Sequence, residues 1–81
     1  MADITCNITK NCAVLSSNDK GYTKELNYVS WNGHDAKLDI RQWWPEHEKC
    51  GKGITLTEEE GRILMEALVK IYEEIDRKPG N

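Results

Sequence analysis

Cationic and aromatic side chains are interleaved through the middle of the chain, in a stretch rich in β-forming residues. Aromatic rings can stack on unpaired bases for about 1–3 kcal/mol each, while Lys and Arg side chains follow the phosphates. Such a mixture on one surface is typical of proteins that hold single-stranded nucleic acid. The residues that could form this surface are Tyr22, Lys24, Tyr28, Lys37, Arg41 and Trp43.

The same residue types also have an ordinary structural explanation. Aromatic residues in strands usually pack against their neighbours, and exposed Lys and Arg side chains often only solubilise a sheet edge. Trp44 directly follows Trp43 and is either a core residue or a second stacking ring. Lys49 and Lys52 lie in a glycine-containing loop that would let a phosphate approach the backbone, although such loops are common without any ligand.

A β-hairpin would position most of these side chains. Asn32-Gly33 separates two predicted strands, 22–31 and 36–43, and both residue types tolerate the left-handed conformation of a tight turn. If the loop has two or four residues, even positions of the first strand share a face with odd positions of the second. A bulge or an odd loop would move Trp31 to the opposite face. Glu25 is a discordant residue on the core face, which is otherwise predicted to contain Val29, Trp31, Leu38 and Ile40.

Two more strands and a helix complete the predicted fold. Alternating residues predict a first strand over 9–17, and a short fourth strand over 52–56 follows a charged loop. The chain is therefore expected to form one α+β domain over residues 1–81, in which a four-stranded antiparallel sheet precedes an amphipathic helix. The sheet should cover about 9–56 and the helix about 57–76, with frayed ends at 1–8 and 77–81.

The predicted helix carries more apolar surface than a thin sheet can cover. Thr57 and Glu60 form a capping-box pattern at its start. Seven apolar residues recur at helical spacing between Ile63 and Ile75. A short chain also has only a small core of its own, so we expect a homodimer. Its interface is predicted to contain Leu64, Leu68, Ile71, Tyr72 and Ile75.

Composition excludes several classes of protein. The net charge is −3, but residues 57–76 hold seven acids against two bases, so the rest of the chain can still form a basic surface. Three cysteines without a C-x-x-C motif favour reduced thiols in the cytoplasm and give no recognised metal site. No run approaches the length of a membrane span. With no nucleophile, metal cage or phosphate loop, we predict a protein that is not an enzyme, without cofactor, metal or membrane partner.

Combined motifs in the chain resemble the positive cofactor 4 family of transcriptional coactivators and, in particular, its bacterial branch. The resemblance implies a curved sheet, dimerisation through the helix, and single-stranded DNA binding in channels formed by two sheets. The segments that carry it are 20–27, 29–32, 37–44, 45–49 and 51–56.

The resemblance also assigns roles to individual residues. It implies basic contacts from Lys37, Arg41 and Lys52, together with Lys20 and Lys24. It implies stacking rings at Trp31 and at either Trp43 or Trp44, while Tyr22 stands where bacterial relatives often have Trp.

Two functional hypotheses follow. The first is binding of single-stranded DNA, or RNA, without sequence preference, in a cytoplasmic protein that would be nucleoid-associated if bacterial. Its cellular role would be transcription-cofactor-like or in DNA maintenance. The alternative is a protein-interaction module that docks a partner on the helix stripe and binds no nucleic acid.

Overall fold

A computed structural model describes residues 5–77, which form one open four-stranded antiparallel sheet followed by a helix. Each strand pairs with the next one in the sequence, so the sheet order is β1-β2-β3-β4. This arrangement confirms the predicted α+β class. The elements are β1 (Cys6–Ser17), β2 (Thr23–Trp31), β3 (Lys37–Trp43), β4 (Cys50–Leu56) and α1 (Glu58–Arg77), with a short 3-10 turn at Pro45–His47 between β3 and β4.

Two strands begin earlier than the sequence predicted. β1 begins at Cys6 rather than at residue 9, and β4 begins at Cys50 rather than at residue 52. Part of the chain predicted to be frayed is therefore ordered strand, while residues 1–4 and 78–81 lie outside the described residues. β1 is also irregular, because its pairing with β2 contains three register shifts.

The hairpin between β2 and β3 closes through a loop with an odd number of residues, one of the alternatives that the sequence left open. Asn32 and Gly33 do adopt left-handed φ angles of 53° and 81°. The register pairs Val29 with Lys37, so the loop has an odd number of residues. Even positions of β2 therefore lie on the same side of the sheet as even positions of β3. The grouping of even β2 positions with odd β3 positions, which was expected only for a loop of two or four residues, is therefore not adopted.

The sheet consequently has two faces, which we name by the parity of their β2 and β3 residues. The even face contains Lys24, Leu26, Tyr28, Leu38, Ile40 and Gln42. The odd face contains Thr23, Glu25, Asn27, Val29 and Trp31 of β2, with Lys37, Asp39, Arg41 and Trp43 of β3.

The buried residues of the sheet lie on the odd face and are mostly polar. Val29 and Trp43 are joined there by Glu25, Asn27 and Asp39, all with at most 2% of their surface exposed. A buried polar group is tolerated only when it is hydrogen-bonded, and all three of these side chains are. This face therefore forms the core of the described chain, in place of the predicted apolar one.

The helix meets the even face through its first turns. Thr57 and Glu60 form the predicted capping box, in which the Glu60 N–H donates to the Thr57 hydroxyl at 3.0 Å. The Tyr28 hydroxyl donates to Glu58 at 3.0 Å, and Gly61 lies so close to Leu38 that an added Cβ would be 2.8 Å from that side chain. A side chain at Gly61 would therefore require the end of the Leu38 side chain to move.

Beyond these turns the helix is uncovered, and none of its residues is buried. The radius of gyration is 15.4 Å, whereas a compact chain of this size would have about 11–12 Å. Leu68, Ile71, Tyr72 and Ile75 are 43–57% exposed, while Leu64 is half-buried. Among the described residues there is no helix with the length and apolarity that crossing a membrane requires.

Candidate nucleic-acid interface

A groove of about 560 Å³ lies on the even face, away from the start of the helix. Ile40 and Gln42 of β3 line it at the centre, and β2 and β4 flank that strand. Lys24 of β2 and Lys52 of β4 lie on its two sides, and both are exposed. The pairing of β3 with β4 is irregular between Arg41 and Trp43, and Lys52 is opposite this irregular segment. The groove thus has an apolar and amide floor between two cations.

The turn between β1 and β2 lines one end of the groove. The Asn18 side-chain oxygen accepts hydrogen bonds from the backbone N–H groups of Lys20 and Tyr22, both at 3.0 Å. Gly21 completes the turn with a φ of 93°, a conformation that favours glycine. The turn therefore fixes Tyr22 in the groove lining and leaves Lys20 exposed beside it.

Two aromatic rings meet at this end of the sheet. The ring centroids of Tyr22 and Trp44 are 5.5 Å apart, with a tilt of 52° between their planes. The Lys49 ammonium lies 5.2 Å from the Trp44 ring centroid, within cation–π range. Trp44 is 37% exposed, so one ring, its aromatic neighbour and a cation are available together at the surface.

The loop that carries Trp44 and Lys49 is tightly folded. The Trp44 N–H donates to the Lys49 carbonyl at 3.0 Å, and the His47 N–H donates to the Trp44 carbonyl at 2.8 Å. Pro45 packs on Gly21, where an added Cβ would lie 3.1 Å from the proline ring. The loop is therefore anchored to the turn that positions Tyr22.

The chain matches the family model for Transcriptional Coactivator p15 (PC4) over residues 18–67. The chain belongs to the PC4 family. It is also 45% identical over 66 residues to an uncharacterized protein of Treponema pallidum (strain Nichols), which covers 82% of this chain and 78% of that protein. The resemblance inferred from the sequence motifs is thus confirmed. The PC4 match includes the whole groove except its β1 side, and it ends before most of the uncovered helix stripe.

In this PC4-family chain the predicted site residues divide between the two faces. Lys24 and Lys52 lie in the even-face groove with Tyr22, and Trp44 contacts Tyr22. The residues whose strand positions belong to the odd face are Trp31, Lys37, Arg41 and Trp43, although Arg41 also contributes to the lining of the groove. The five-residue loop between Trp31 and Lys37 causes this division, because a loop with an odd number of residues exchanges the faces of the residues that follow it.

Arg41 is held within the fold on the odd face. Its Nε and Nη2 donate to the two carboxylate oxygens of Asp39 at 3.0 and 2.9 Å, and its Nη1 donates to the Gly51 carbonyl at 2.9 Å. The guanidinium also lies 4.7 Å from the Trp31 ring centroid. With 13% of its side chain exposed, Arg41 ties β3 to β4 and covers Trp31.

The adjacent Trp residues have different environments. Trp43 is 2% exposed and packs against the His47 ring, whose centroid is 5.4 Å away. Trp43 is a core residue in this structure, so of the two rings between which the resemblance left the choice open, Trp44 is the accessible one. Trp44 points to the other side and retains a solvent-accessible ring.

The sequence analysis missed the polar network that surrounds Glu25. This carboxylate accepts hydrogen bonds from Asn11 (3.1 Å), Thr23 (2.6 Å) and Asn27 (3.0 Å), and both of its oxygens lie within 3.0 Å of the His47 Nε2. Burial raises the pKa of Glu25, but the hydrogen bonds from Thr23, Asn27 and His47 outweigh it and lower the pKa overall. An acid in the middle of a strand, at a position predicted to face the core, was the available signal.

Proposed function

We propose that the even face binds single-stranded DNA without reading its sequence. The observation that carries this proposal is the contact between Tyr22 and Trp44 beside a groove flanked by Lys24 and Lys52. Rings of this kind stack on any unpaired base, and lysines contact the phosphates that every nucleotide has. The PC4 family, which is nucleic-acid-binding and non-enzymatic, supports the same conclusion.

The groove fits a nucleic-acid backbone in charge and in form. Within residues 5–77, neither Lys24 nor Lys52 has an ion-pair partner, so both ammonium groups are available for phosphates. Lys20 and Lys49 add two exposed cations near the aromatic pair. The overall charge of −3 is compatible with this role because the acids are concentrated in α1. A surface that is open along its length suits a continuous strand better than a small molecule.

We further propose that the protein is a homodimer that uses the helix stripe as its interface. The stripe is a contiguous patch of exposed apolar side chains, and such patches on small proteins usually mark an interface. Its members include Leu68, Ile71, Tyr72 and Ile75. A second copy would cover them symmetrically, together with Leu64. The same stripe also suits the alternative function, in which a different protein docks there. A monomer in solution that does not bind oligonucleotide would favour that alternative.

The proposed role in the cell is that of a transcription-cofactor-like or DNA-maintenance protein that recognises exposed single strands. Phosphate contacts and stacking do not depend on the sugar, so single-stranded RNA is a second ligand of the same chemical class. A competition titration between matched DNA and RNA oligonucleotides ranks the two.

The deciding experiment is a tryptophan-fluorescence titration with a single strand of about 20 nucleotides and with its duplex, at two salt concentrations. We expect quenching by the single strand, weaker quenching by the duplex, and weaker binding at high salt. Trp44→Phe should remove most of the quenching. Absence of binding at low salt would refute the proposed function.

Lysine variants then locate the interface. Lys24→Ala and Lys52→Ala should each weaken all oligonucleotides alike and reduce the slope of affinity against salt by about one unit. Lys37→Ala is the matched control, because this exposed lysine lies on the odd face. If Lys37→Ala reduced the slope and Lys24→Ala did not, the interface would be on the odd face, as the family resemblance implied for Lys37.

A further inference from the structure

The loop between β3 and β4 contains two consecutive residues with a backbone conformation that residues other than glycine rarely adopt. Glu46 and His47 have φ angles of 57° and 58°, in the left-handed region. Neither is glycine, so each conformation costs free energy and persists only where the surroundings hold it. Such strain is retained in a structure when another contact depends on it.

In addition to the packing of Pro45 on Gly21, a contact between His47 and Glu25 holds this loop from the odd face. Nε2 of His47 lies 3.0 and 2.9 Å from the two carboxylate oxygens of Glu25. A carboxylate only accepts hydrogen bonds, so Nε2 must carry the proton. Glu25 is 2% exposed and is fixed by Asn11, Thr23 and Asn27, whereas the His47 side chain is 46% exposed. The buried acid is therefore fixed by its neighbours within the sheet, and it provides an anchor for the exposed loop.

The same loop determines where Trp44 lies. The His47 N–H donates to the Trp44 carbonyl, and the Trp44 N–H donates to the Lys49 carbonyl, so the backbone positions of these residues are linked by hydrogen bonds. His47 points to the odd face, where it packs on Trp43, while Trp44 contacts Tyr22. A buried carboxylate on one face of the sheet is thus connected to an aromatic ring on the other.

We propose that His47 is a positioning residue for nucleic-acid binding. By donating to the buried Glu25 carboxylate, it holds the loop of residues 44–49 in its strained form and keeps Trp44 against Tyr22 at the end of the groove. His47 does not itself contact the strand, because it lies on the opposite side of the sheet from the groove. This inference rests on the proposed function, in which Trp44 is the stacking ring.

The test is a double-mutant cycle of His47→Ala and Trp44→Ala, with affinity for a single strand of about 20 nucleotides as the readout. Loss of one positioned stacking ring corresponds to roughly tenfold weaker binding. We expect His47→Ala to weaken binding by about this factor, and the double variant to bind no more weakly than Trp44→Ala alone. His47→Gln, which keeps an N–H donor at similar reach, should restore part of the affinity. Glu48→Gln, an exposed change in the same loop, should alter affinity less than about twofold.

Additive effects of the two substitutions, or full affinity in a folded His47→Ala variant, would overturn the inference. If His47→Ala does not fold, Glu25→Gln weakens the same contact at constant volume and enters the cycle in its place. The nuclear Overhauser effects between the Tyr22 and Trp44 rings supply a second readout that needs no ligand. They should be strong in the wild-type chain and lost when the contact is broken.

This second readout separates the two ways in which the experiment can fail. If the wild-type chain binds no oligonucleotide, the proposed function is wrong, and the ring contacts alone decide whether His47 positions Trp44. If the wild-type chain binds and the ring contacts persist in His47→Ala, the proposed function stands and the positioning role is refuted.

Discussion

Both faces of the sheet contain basic and aromatic side chains, but those on the odd face are mostly buried or paired, whereas those on the even face are exposed. On the odd face, the Arg41 guanidinium donates hydrogen bonds to Asp39 and Gly51 and lies over the Trp31 ring. Trp43 is buried on the same face. On the even face, Lys24 and Lys52 are exposed beside a groove, and Trp44 retains an accessible ring. Residue type therefore does not distinguish a binding residue from a structural one. What distinguishes them is whether the fold has already satisfied the charge or covered the ring.

The largest expected effect is on the odd face, where Asp39→Ala should destabilise the fold by about 3–5 kcal/mol. Asp39 is fully buried and accepts hydrogen bonds from Arg41 and from Thr55 at 2.9 Å, so its loss leaves a guanidinium without its anion. Urea unfolding measures the change in free energy. Asp35→Ala, at an exposed position before β3, is the control and should change stability by less than about 0.5 kcal/mol. Equal effects at the two positions would mean that the odd face is not the core.

The adjacent Trp residues give the sharpest comparison of the faces. Trp43→Ala should cost about 3–5 kcal/mol of folding free energy, because it removes a buried ring. Trp44→Ala should leave the unfolding midpoint nearly unchanged and cost about 1–3 kcal/mol of single-strand binding. Unfolding curves and titrations of both variants check this crossed pattern. The comparison breaks if Trp44→Ala unfolds the protein while its binding, corrected for the folded fraction, is normal.

A smaller effect is expected from acid. Because hydrogen bonds lower the pKa of Glu25 in the folded state below its ordinary value of 4.5, the charged carboxylate stabilises the fold above that value. This contribution should be lost as the pH falls from about 4.5 through the lower folded pKa. Glu25→Gln should be less stable than wild type at neutral pH, and its stability should depend less on pH in that interval. Unfolding midpoints measured in steps of pH test this, and parallel curves for the two proteins would contradict it.

The smallest effect concerns thiol reactivity at the edge of the odd face. Burial, and then a hydrogen bond with the Cys50 thiol, raise the pKa of Cys6 to about 11, whereas Cys12 is exposed. A thiol with this pKa has little reactive thiolate at pH 8. Iodoacetamide should therefore label Cys12 well before Cys6 in the folded protein, as peptide mass analysis would show. Equal labelling rates of Cys6 and Cys12 in the folded protein would contradict the raised pKa of Cys6. In the unfolded protein the two thiols should react at similar rates.

Much of the fold could be predicted from the sequence because its signals are local. The capping box of Thr57 and Glu60, the alternation along β2 and β3, and the left-handed tendency of Asn32-Gly33 each depend on a few neighbouring residues. The same signals do not specify how many residues close the hairpin. That number determines which residues of β3 share a face with Trp31, and the sequence left it open between an even and an odd loop.

The candidate site could be predicted in part for a related reason. Tyr22, Lys24 and Lys52 were selected by residue type and are found together in the groove. Arg41 was selected by the same criterion, but its partners Asp39 and Gly51 come from a strand pairing that no local pattern reveals. The contact of His47 with Glu25 spans 22 positions of the chain and crosses two elements. Its discovery required the folded arrangement.

The irregular pairing of β1 affects how copies of this chain meet one another. An open sheet has two edge strands whose backbone groups can pair with another chain, and long flat edges of this kind promote aggregation. The three register shifts in β1 bend and twist that edge and interrupt its hydrogen-bonding pattern. A neighbouring copy therefore finds no continuous template for extending the sheet, although Val14 and Leu15 are more than half exposed there. Deleting a bulge residue would leave a straighter edge, with a longer row of backbone groups open to pairing with another chain.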